Sequence, residues 1–370
     1  MSGSESYPSI TINDLTMREG MQIERADIPT AAKIELLNAL SQTGLRSIEV
    51  GSFVSPKWVP QMANIDEVIA GFTPMPGVRY IALAMNDKGV ERYQNHVPPL
   101  EKPTSFPRTI VHLCDVFVRR NLNRSQDDEI AAWDTTVARA VADGATEAGI
   151  GINAAWGSNW LGKFSLDQRM AMLERQHVRW TDAGIQVRDI FIGDPMGWNV
   201  PADVEEQLVT IRQRWPGIRS FQLHLHNTRG MAVLSAYCAL RVLDSSCRLV
   251  LDTSLGGMAG CPYCGNGRAA SLPPTEDVVQ LLEAEGVCTG IDLRKLVNAV
   301  VLAERVVGHP LYGHVSKGGW LPGPDDLYPM DMPLVETLEQ AAHFRLGPAV
   351  YAGAPRPWRA PIQSAARHSG

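Results

Sequence analysis

Long apolar runs are missing from this chain. No stretch approaches the ~18 consecutive apolar residues that a membrane-crossing helix needs, so no spanning helix is expected. Basic runs are missing as well. The 34 Lys and Arg are outnumbered by 40 Asp and Glu, the net charge is −6, and both signs are mixed along the chain. Without aromatic–basic interleaving, this argues against a nucleic-acid partner. Cysteine is sparse: six in 370 residues, most of them inside apparent strands or helices. That usage fits reduced thiols rather than a disulfide framework. The first ten residues, MSGSESYPSI, lack the basic segment and apolar core of a secretory signal, so a cytoplasmic protein is expected. No Gly-rich phosphate loop follows the first strand candidate, where the residues are REGMQ. A doubly wound sheet would normally carry one there. Internal repeats and low-complexity segments are absent too.

What is present is an alternation of short β-rich runs and longer helical patterns. The strand candidates are ITINDLT (10–16), SIEVGSF (47–53), VRYIALA (78–84), TIVHLCDV (109–116), EAGIGINAAW (147–156), VRDIFIGD (187–194), FQLHLHN (221–227) and RLVLDTSLGG (248–257). Between them, TAAKIELLNALSQTG places Ile34, Leu37, Leu40 and Leu45 near a 3.6-residue period, with Thr30 as N-cap and Gly44 as the stop. Eight strand–helix units in succession predict an α/β fold, a (β/α)8 TIM barrel, over residues 1–308. A further helix is expected at 292–307. Residues 309–370, rich in Pro and Gly, read as a C-terminal extension packing on the barrel or on a partner subunit, with one more helix at 333–344.

In such a barrel the chemistry sits at the C-terminal ends of the strands. Strand 1 ends in Asp14 and leads to Arg18, Glu19 and Gln22; strand 2 carries Glu49; strand 6 ends in Asp194. Strand 7 contains His224 and His226. Residues i and i+2 of a strand share a face, so both imidazoles can reach one cation near the barrel axis. A lone strand histidine is more often a hydrogen-bonded core residue, but two at this spacing, opposite an acid on strand 1, favour a ligand pair. Two His with a carboxylate and an amide oxygen suit a divalent ion with open water positions, such as Mg²⁺, Mn²⁺ or Zn²⁺; ligand softness alone does not choose among them. Arg18 beside Glu19 would read as a surface ion pair were it not placed directly after strand 1. Glu49 lies in an apolar run, and a buried carboxylate is costly unless paired or bound to an ion. After strand 8 comes AGCPYCGNGR (259–268), with Cys261 and Cys264 in C-x-x-C spacing. A structural zinc site would need a second ligand pair, and none follows. A regulatory Cys261–Cys264 disulfide is the weaker reading of that pair.

These residues lie in longer blocks: MREGMQIE (17–24), IEVGSFVSPKWVPQMA (48–63), GDPMG (193–197), LHLHNTRG (223–230), GGMAGCPY (256–263) and TEDVVQLLEAEGVCTGIDLRKL (275–296). The set resembles the 3-hydroxy-3-methylglutaryl-CoA lyases, within a superfamily of metal-dependent barrels that includes isopropylmalate and homocitrate synthases. The resemblance covers roughly residues 10–308. It implies that Glu19, His224 and His226 are metal ligands, that Arg18 stabilises an enolate oxygen, that Glu49 is an active-site glutamate and that Cys261 is the catalytic cysteine of a mobile loop. Asn266 is the candidate for a further ligand. Departures are visible. Glu19 stands where the lyases carry a metal-binding Asp; this Arg-Glu-Gly version resembles the homocitrate synthases, in which Glu fills that role. The segment after Cys261 is about two residues longer, and NAAWGSNWLGKF (153–164) replaces the family's cysteine-containing loop.

The activity so implied is divalent-metal-dependent cleavage of a 3-hydroxyacyl-CoA to an acyl-CoA and an oxo acid. Glu49 or Asp14 would serve as base, Arg18 as oxyanion stabiliser and Cys261 as the acid that protonates the enolate. The partner is an acyl-CoA thioester, with a homodimer or higher homo-oligomer as the expected assembly. Lys57, Arg119 and Arg120 are the basic residues that would meet phosphates, although rim basic residues are usually just solvated. Competing readings are a synthase joining acetyl-CoA to a 2-oxo acid, a 4-hydroxy-2-oxo acid aldolase, and a barrel retained only for binding or assembly.

Overall fold

The computed structural model describes residues 7–84, 86–102, 106–265, 271–356 and 359–360. Eight parallel strands form one ladder: β1 (Ser9–Asp14), β2 (Ser47–Ser52), β3 (Arg79–Leu83), β4 (Arg108–His112), β5 (Glu147–Asn153), β6 (Gln186–Asp194), β7 (Ser220–Leu225) and β8 (Arg248–Thr253). Their order is β3-β2-β1-β8-β7-β6-β5-β4. Only consecutive strands and the β1–β8 pair are neighbours, as expected for a barrel, with β3 and β4 at the two ends of the ladder. The expected barrel is thus borne out as a curled eight-stranded parallel sheet with its connecting helices outside. Strands in such a sheet are covered on both faces, and all six residues of β2 are buried.

The helices α1 (Thr30–Ser41), α2 (Ile65–Gly71), α3 (Asp87–Gln94), α4 (Asp115–Leu122), α5 (Gln126–Ala142), α6 (Leu166–Asp182), α7 (Pro201–Arg214), α8 (Ala232–Val242), α9 (Thr275–Ala284) and α10 (Leu293–Val307) fill the connections. In α1, Leu36, Leu37 and Leu40 are fully buried, each contributing about 1.5–3 kcal/mol of burial. Thr30 is not its N-cap. Pro29 holds that position, and the Thr30 hydroxyl instead donates to Glu67 (3.2 Å). The stop at Gly44 stands, with φ +93°. Capping boxes open α5 (Ser125 with Asp128) and α6 (Ser165 with Gln168). Asp292 caps α10, accepting from the Lys295 amide (3.1 Å).

The inside of the barrel is polar rather than a layered apolar fill. Arg79 donates to Ser47 (2.9 Å), Ser47 to Asn13 (2.7 Å), and Asn13 to Asp252 (3.0 Å). Gln222 also donates to Asp252 (3.2 Å) and accepts from Arg108 (3.3 Å). Side chains from β1, β2, β3, β4, β7 and β8 are therefore tied into one network inside the sheet. Such networks specify a unique arrangement when their members are satisfied.

The described part of the extension lies against α9 and α10 of its own barrel. The His314 and Val315 amides donate to Asp277 (3.0 and 2.8 Å), the Leu311 amide donates to Glu304 (2.9 Å), and Leu311 is buried. The helix expected at 333–344 is broken into single turns, Leu338–Ala341 and His343–Leu346. No helix among the described residues is long and apolar enough to cross a membrane.

Candidate active site

The site begins with a local feature of the chain after β1. The amides of Arg18, Glu19 and Gly20 all return to the Leu15 carbonyl (3.1, 2.9 and 3.1 Å), which winds Thr16–Gly20 into a wide π-type turn. Asp14 fixes its start by accepting from the Thr16 amide (2.9 Å). Gly20 faces Met258 so closely that a Cβ there would stand 3.0 Å from the Met258 Cβ. The turn aims two side chains inward. Glu19 is 3% exposed and lies within 2.9 Å of His226 Nε2 and 3.4 Å of His224 Nε2.

The two imidazoles do share a face, as the i, i+2 spacing predicts. Their Nε2 atoms are 3.3 Å apart. Glu19, His224 and His226 each offer one ligand atom within 4.8 Å of the others, and all three are buried. Asn266, the expected further ligand, lies outside the described residues, as does Arg268. Asn227, which follows the pair, spends its side-chain oxygen on the Ala232 amide (3.0 Å) at the start of α8.

Arg18 joins the cluster to β2. Its Nη1 donates to Glu19 (2.7 Å) and its Nε to Glu49 (3.1 Å). Glu49 is buried, and burial raises its carboxyl above the ordinary value despite the Arg18 charge. Burial acts on Glu19 in the same direction, but the charges of His224 and Arg18 outweigh it and hold that carboxyl well below the usual range. Burial lowers His224, yet the carboxylates of Glu19 and Asp252 overcome it and push the imidazole up to about 10.

Asp14 and Asp194 do not join the cluster. Asp14 is sealed between the Thr16 amide and the Thr275 hydroxyl (2.7 Å), and burial pushes it up to about 6. Asp194 accepts from the Trp198 and Asn199 amides (3.0 and 2.6 Å) and shapes the loop after β6. Among the basic candidates, Arg119 pairs with Asp115 along α4 (2.6 Å), Lys57 lies over the exposed Trp58 ring (5.4 Å), and Arg120 turns to the cysteine loop.

Cys261 is 7% exposed and Cys264 is fully buried; both are free thiols. The adjacent Cys264 sulfur lowers the Cys261 thiol, against burial that raises it, while burial raises Cys264 itself. Gln22, on the π-type turn's far side, donates to the Gly260 carbonyl (3.0 Å) and so links the cysteine loop to the Glu19 turn.

Several contributors escaped the sequence reading. Asp252 accepts from His224 Nδ1 (3.0 Å) and thereby points the other ring nitrogen at Glu19. Its signal was an acid inside the apolar run RLVLDT. His112 pairs with Glu129 (2.9 Å) and meets Asn153 (3.2 Å) at the same ends of β4 and β5; it stood in the apolar run TIVHLC.

A family model described as HMGL-like matches residues 9–302. The mitochondrial hydroxymethylglutaryl-CoA lyase of Bos taurus is 32% identical over 78% of this chain and 83% of its own length. The hydroxymethylglutaryl-CoA lyase YngG of Bacillus subtilis is 32% identical, over 82% and 96%. Among solved structures, the HMG-CoA lyase of Acinetobacter baumannii, in complex with coenzyme A and 3-methylmalate, superposes with a TM-score of 0.68 at 27% identity, covering 89% of this chain and 99% of that one. The HMG-CoA lyase of Pseudomonas aeruginosa gives 0.65 at 28%, over 85% and 97%.

Proposed function

The chain belongs to the HMGL-like family, and from that premise we propose that it is a divalent-metal-dependent carbon–carbon lyase. It cleaves a 3-hydroxy-3-methylglutaryl-CoA-like thioester to an acyl-CoA, acetyl-CoA for the parent substrate, and an oxo acid. The observation that carries the reading is the convergence of Glu19, His224 and His226 on one buried point beside the Arg18 guanidinium.

The donor set fits a divalent cation, since two imidazole nitrogens and a carboxylate face one another, all three buried. Glu19, His224 and His226 would hold it, with Asn266 as a further ligand and with Mg²⁺ or Mn²⁺ ahead of Zn²⁺. Once bound, such a cation supplies Lewis-acid activation of the substrate's tertiary hydroxyl. Glu49, raised by burial, takes the hydroxyl proton. The carbon–carbon bond to the hydroxyl-bearing carbon then breaks, and its electron pair passes to the thioester as an enolate. Arg18, always cationic and held by two carboxylates, stabilises the developing oxyanion. Cys261 delivers the proton that converts the enolate carbon to the acyl-CoA methyl group. The neighbouring Cys264 sulfur lowers this thiol, which makes its proton easier to deliver.

The test is acetyl-CoA release from a panel of 3-hydroxy-3-carboxyalkyl-CoA thioesters, with and without Mg²⁺ or Mn²⁺. Metal-dependent release is expected, and no turnover of any thioester sinks the reading. The Arg18-Glu19-Gly20 motif keeps a synthase as the second reading; condensation of acetyl-CoA with a 2-oxo acid, without thioester cleavage, would select it. We also propose a cytoplasmic homodimer or higher homo-oligomer, which sedimentation and cell fractionation check.

A further inference from the structure

The segment that departs from the family pattern, 153–164, folds as a small hairpin. Gly157–Ser158 pairs antiparallel with Gly162–Lys163, and the buried Ser158 hydroxyl accepts from the Leu161 amide (2.8 Å) to shape the turn. Asn159 sits at its tip and touches two other loops. Its Nδ2 donates to the Cys264 carbonyl (2.9 Å), and its Oδ1 accepts from Trp198 Nε1 (3.0 Å). The indole N–H can only donate, so Trp198 fixes which way the amide points and leaves the NH2 for Cys264. Trp198 is steadied in turn by Arg229, whose guanidinium lies over its ring (5.7 Å) and donates to the Gly197 carbonyl (2.8 Å).

The cysteine turn is gripped along its backbone. Gln22 takes the Gly260 carbonyl, the Cys264 amide takes that of Cys261 (3.2 Å), and Arg120 takes that of Tyr263 (3.0 Å). The Cys264 thiol donates to the Pro195 carbonyl (3.0 Å). Arg120 also lies over the Trp160 ring (5.2 Å), so the hairpin supports that grip as well. Of these anchors, Asn159 is the one that joins the hairpin, the loop after β6 and the cysteine turn.

We propose that Asn159 is a positioning residue for Cys261, holding the turn that carries the thiol by fixing the Cys264 carbonyl. The proposal rests on the lyase reading, in which Cys261 delivers the final proton. It also gives Cys264 a place, as an anchor of the turn rather than a partner in dithiol chemistry.

The experiment reads both rate and geometry. Asn159→Ala should lower kcat about tenfold, the worth of one well-placed hydrogen bond, with KM within about twofold. It should also speed alkylation of Cys261 by iodoacetamide about tenfold, followed on the Cys261 peptide by mass spectrometry. Asn159→Asp keeps the acceptor for Trp198 but cannot donate to Cys264, so it should behave like the alanine variant. Trp198→Phe, which only frees the amide to turn, should move both readouts the same way by less. A purely structural hairpin would change the melting temperature and leave the alkylation rate alone. Parental alkylation rates in all three variants overturn the proposal. The alkylation readout does not depend on turnover, so absence of thioester cleavage by the unaltered chain would sink the lyase reading separately.

Discussion

Asp252→Asn is the most informative single change at the Glu19–His224–His226 cluster, because the neighbours of Asp252 dictate how the new amide must sit. One carboxylate oxygen accepts from Asn13 Nδ2 (3.0 Å) and the other from His224 Nδ1 (3.0 Å), while Gln222 Nε2 lies 3.3 and 3.2 Å from the two. All three partners donate. An asparagine has one oxygen to offer, so with that oxygen kept on Asn13 its NH2 must face His224 Nδ1. A donor there forces Nδ1 to accept and moves the ring proton to Nε2, the atom that points at Glu19 and His226. The variant must then either displace that tautomer or break the Asn13 hydrogen bond before a cation can bind. Either route costs about 1–2 kcal/mol, or roughly 5- to 30-fold in affinity, overlapping the lower part of the roughly 10- to 100-fold range for partners of metal-binding histidines. Losing the carboxylate also makes the His224 imidazolium easier to deprotonate, which works the other way, so about tenfold weaker Mn²⁺ binding is expected at pH 8. Isothermal titration of Mn²⁺ into the metal-free protein measures it. An unchanged Kd would show that the ligand face of His224 is not set by Asp252, and the tautomer argument would fail.

Metal affinity itself should rise with pH. His224 must lose a proton to coordinate, and Glu19 and Asp252 hold that proton up to about pH 10; Kd for Mn²⁺ should therefore fall about tenfold per unit between pH 6 and 9, and a flat profile contradicts the ligand assignment. His226→Ala removes a donor 2.9 Å from Glu19, and elemental analysis should find bound metal reduced to background. Arg18→Lys cannot reach Glu19 and Glu49 with the same fork, so kcat should drop about 10²- to 10³-fold, as for loss of an oxyanion donor, with full activity excluding that role. Burial, then the neighbouring Asp277 charge, raise Glu276 from 4.5 to about 8. The folded state keeps a proton there that the unfolded chain has released, so stability falls as pH rises from 4.5 towards 8; Glu276→Gln should gain melting temperature over the parent at pH 8.5 but not at pH 5, and equal gains at both would refute the linkage.

How much of this was legible in the chain depends on whether a residue's role follows from its own element. All eight strands could be placed because parallel barrel strands are short apolar runs separated by amphipathic helices, and both periods are local. The His224–His226 pair was legible for the same reason: a strand fixes the facing of i and i+2 without knowledge of any other element. Arg18 and Glu19 needed one further step, the rule that chemistry gathers after strand ends. Asp252 was not legible, since its meaning lies in β7, whose His224 it orients across the β7–β8 ladder. Thr30 was misplaced as a cap because Glu67, on α2, competes for its hydroxyl. Asp14 looked as good a base as Glu49 until Thr275, far along the chain, was found closing over it. The opening of the cysteine loop shows the limit most sharply. C-x-x-C spacing is shared by metal knuckles, redox pairs and catalytic turns, and nothing within that stretch foretells that Gln22, Arg120 and Asn159 hold the turn by its backbone carbonyls. Those three side chains come from three separate connections of the barrel, so their convergence is a property of the fold that no single stretch of sequence carries.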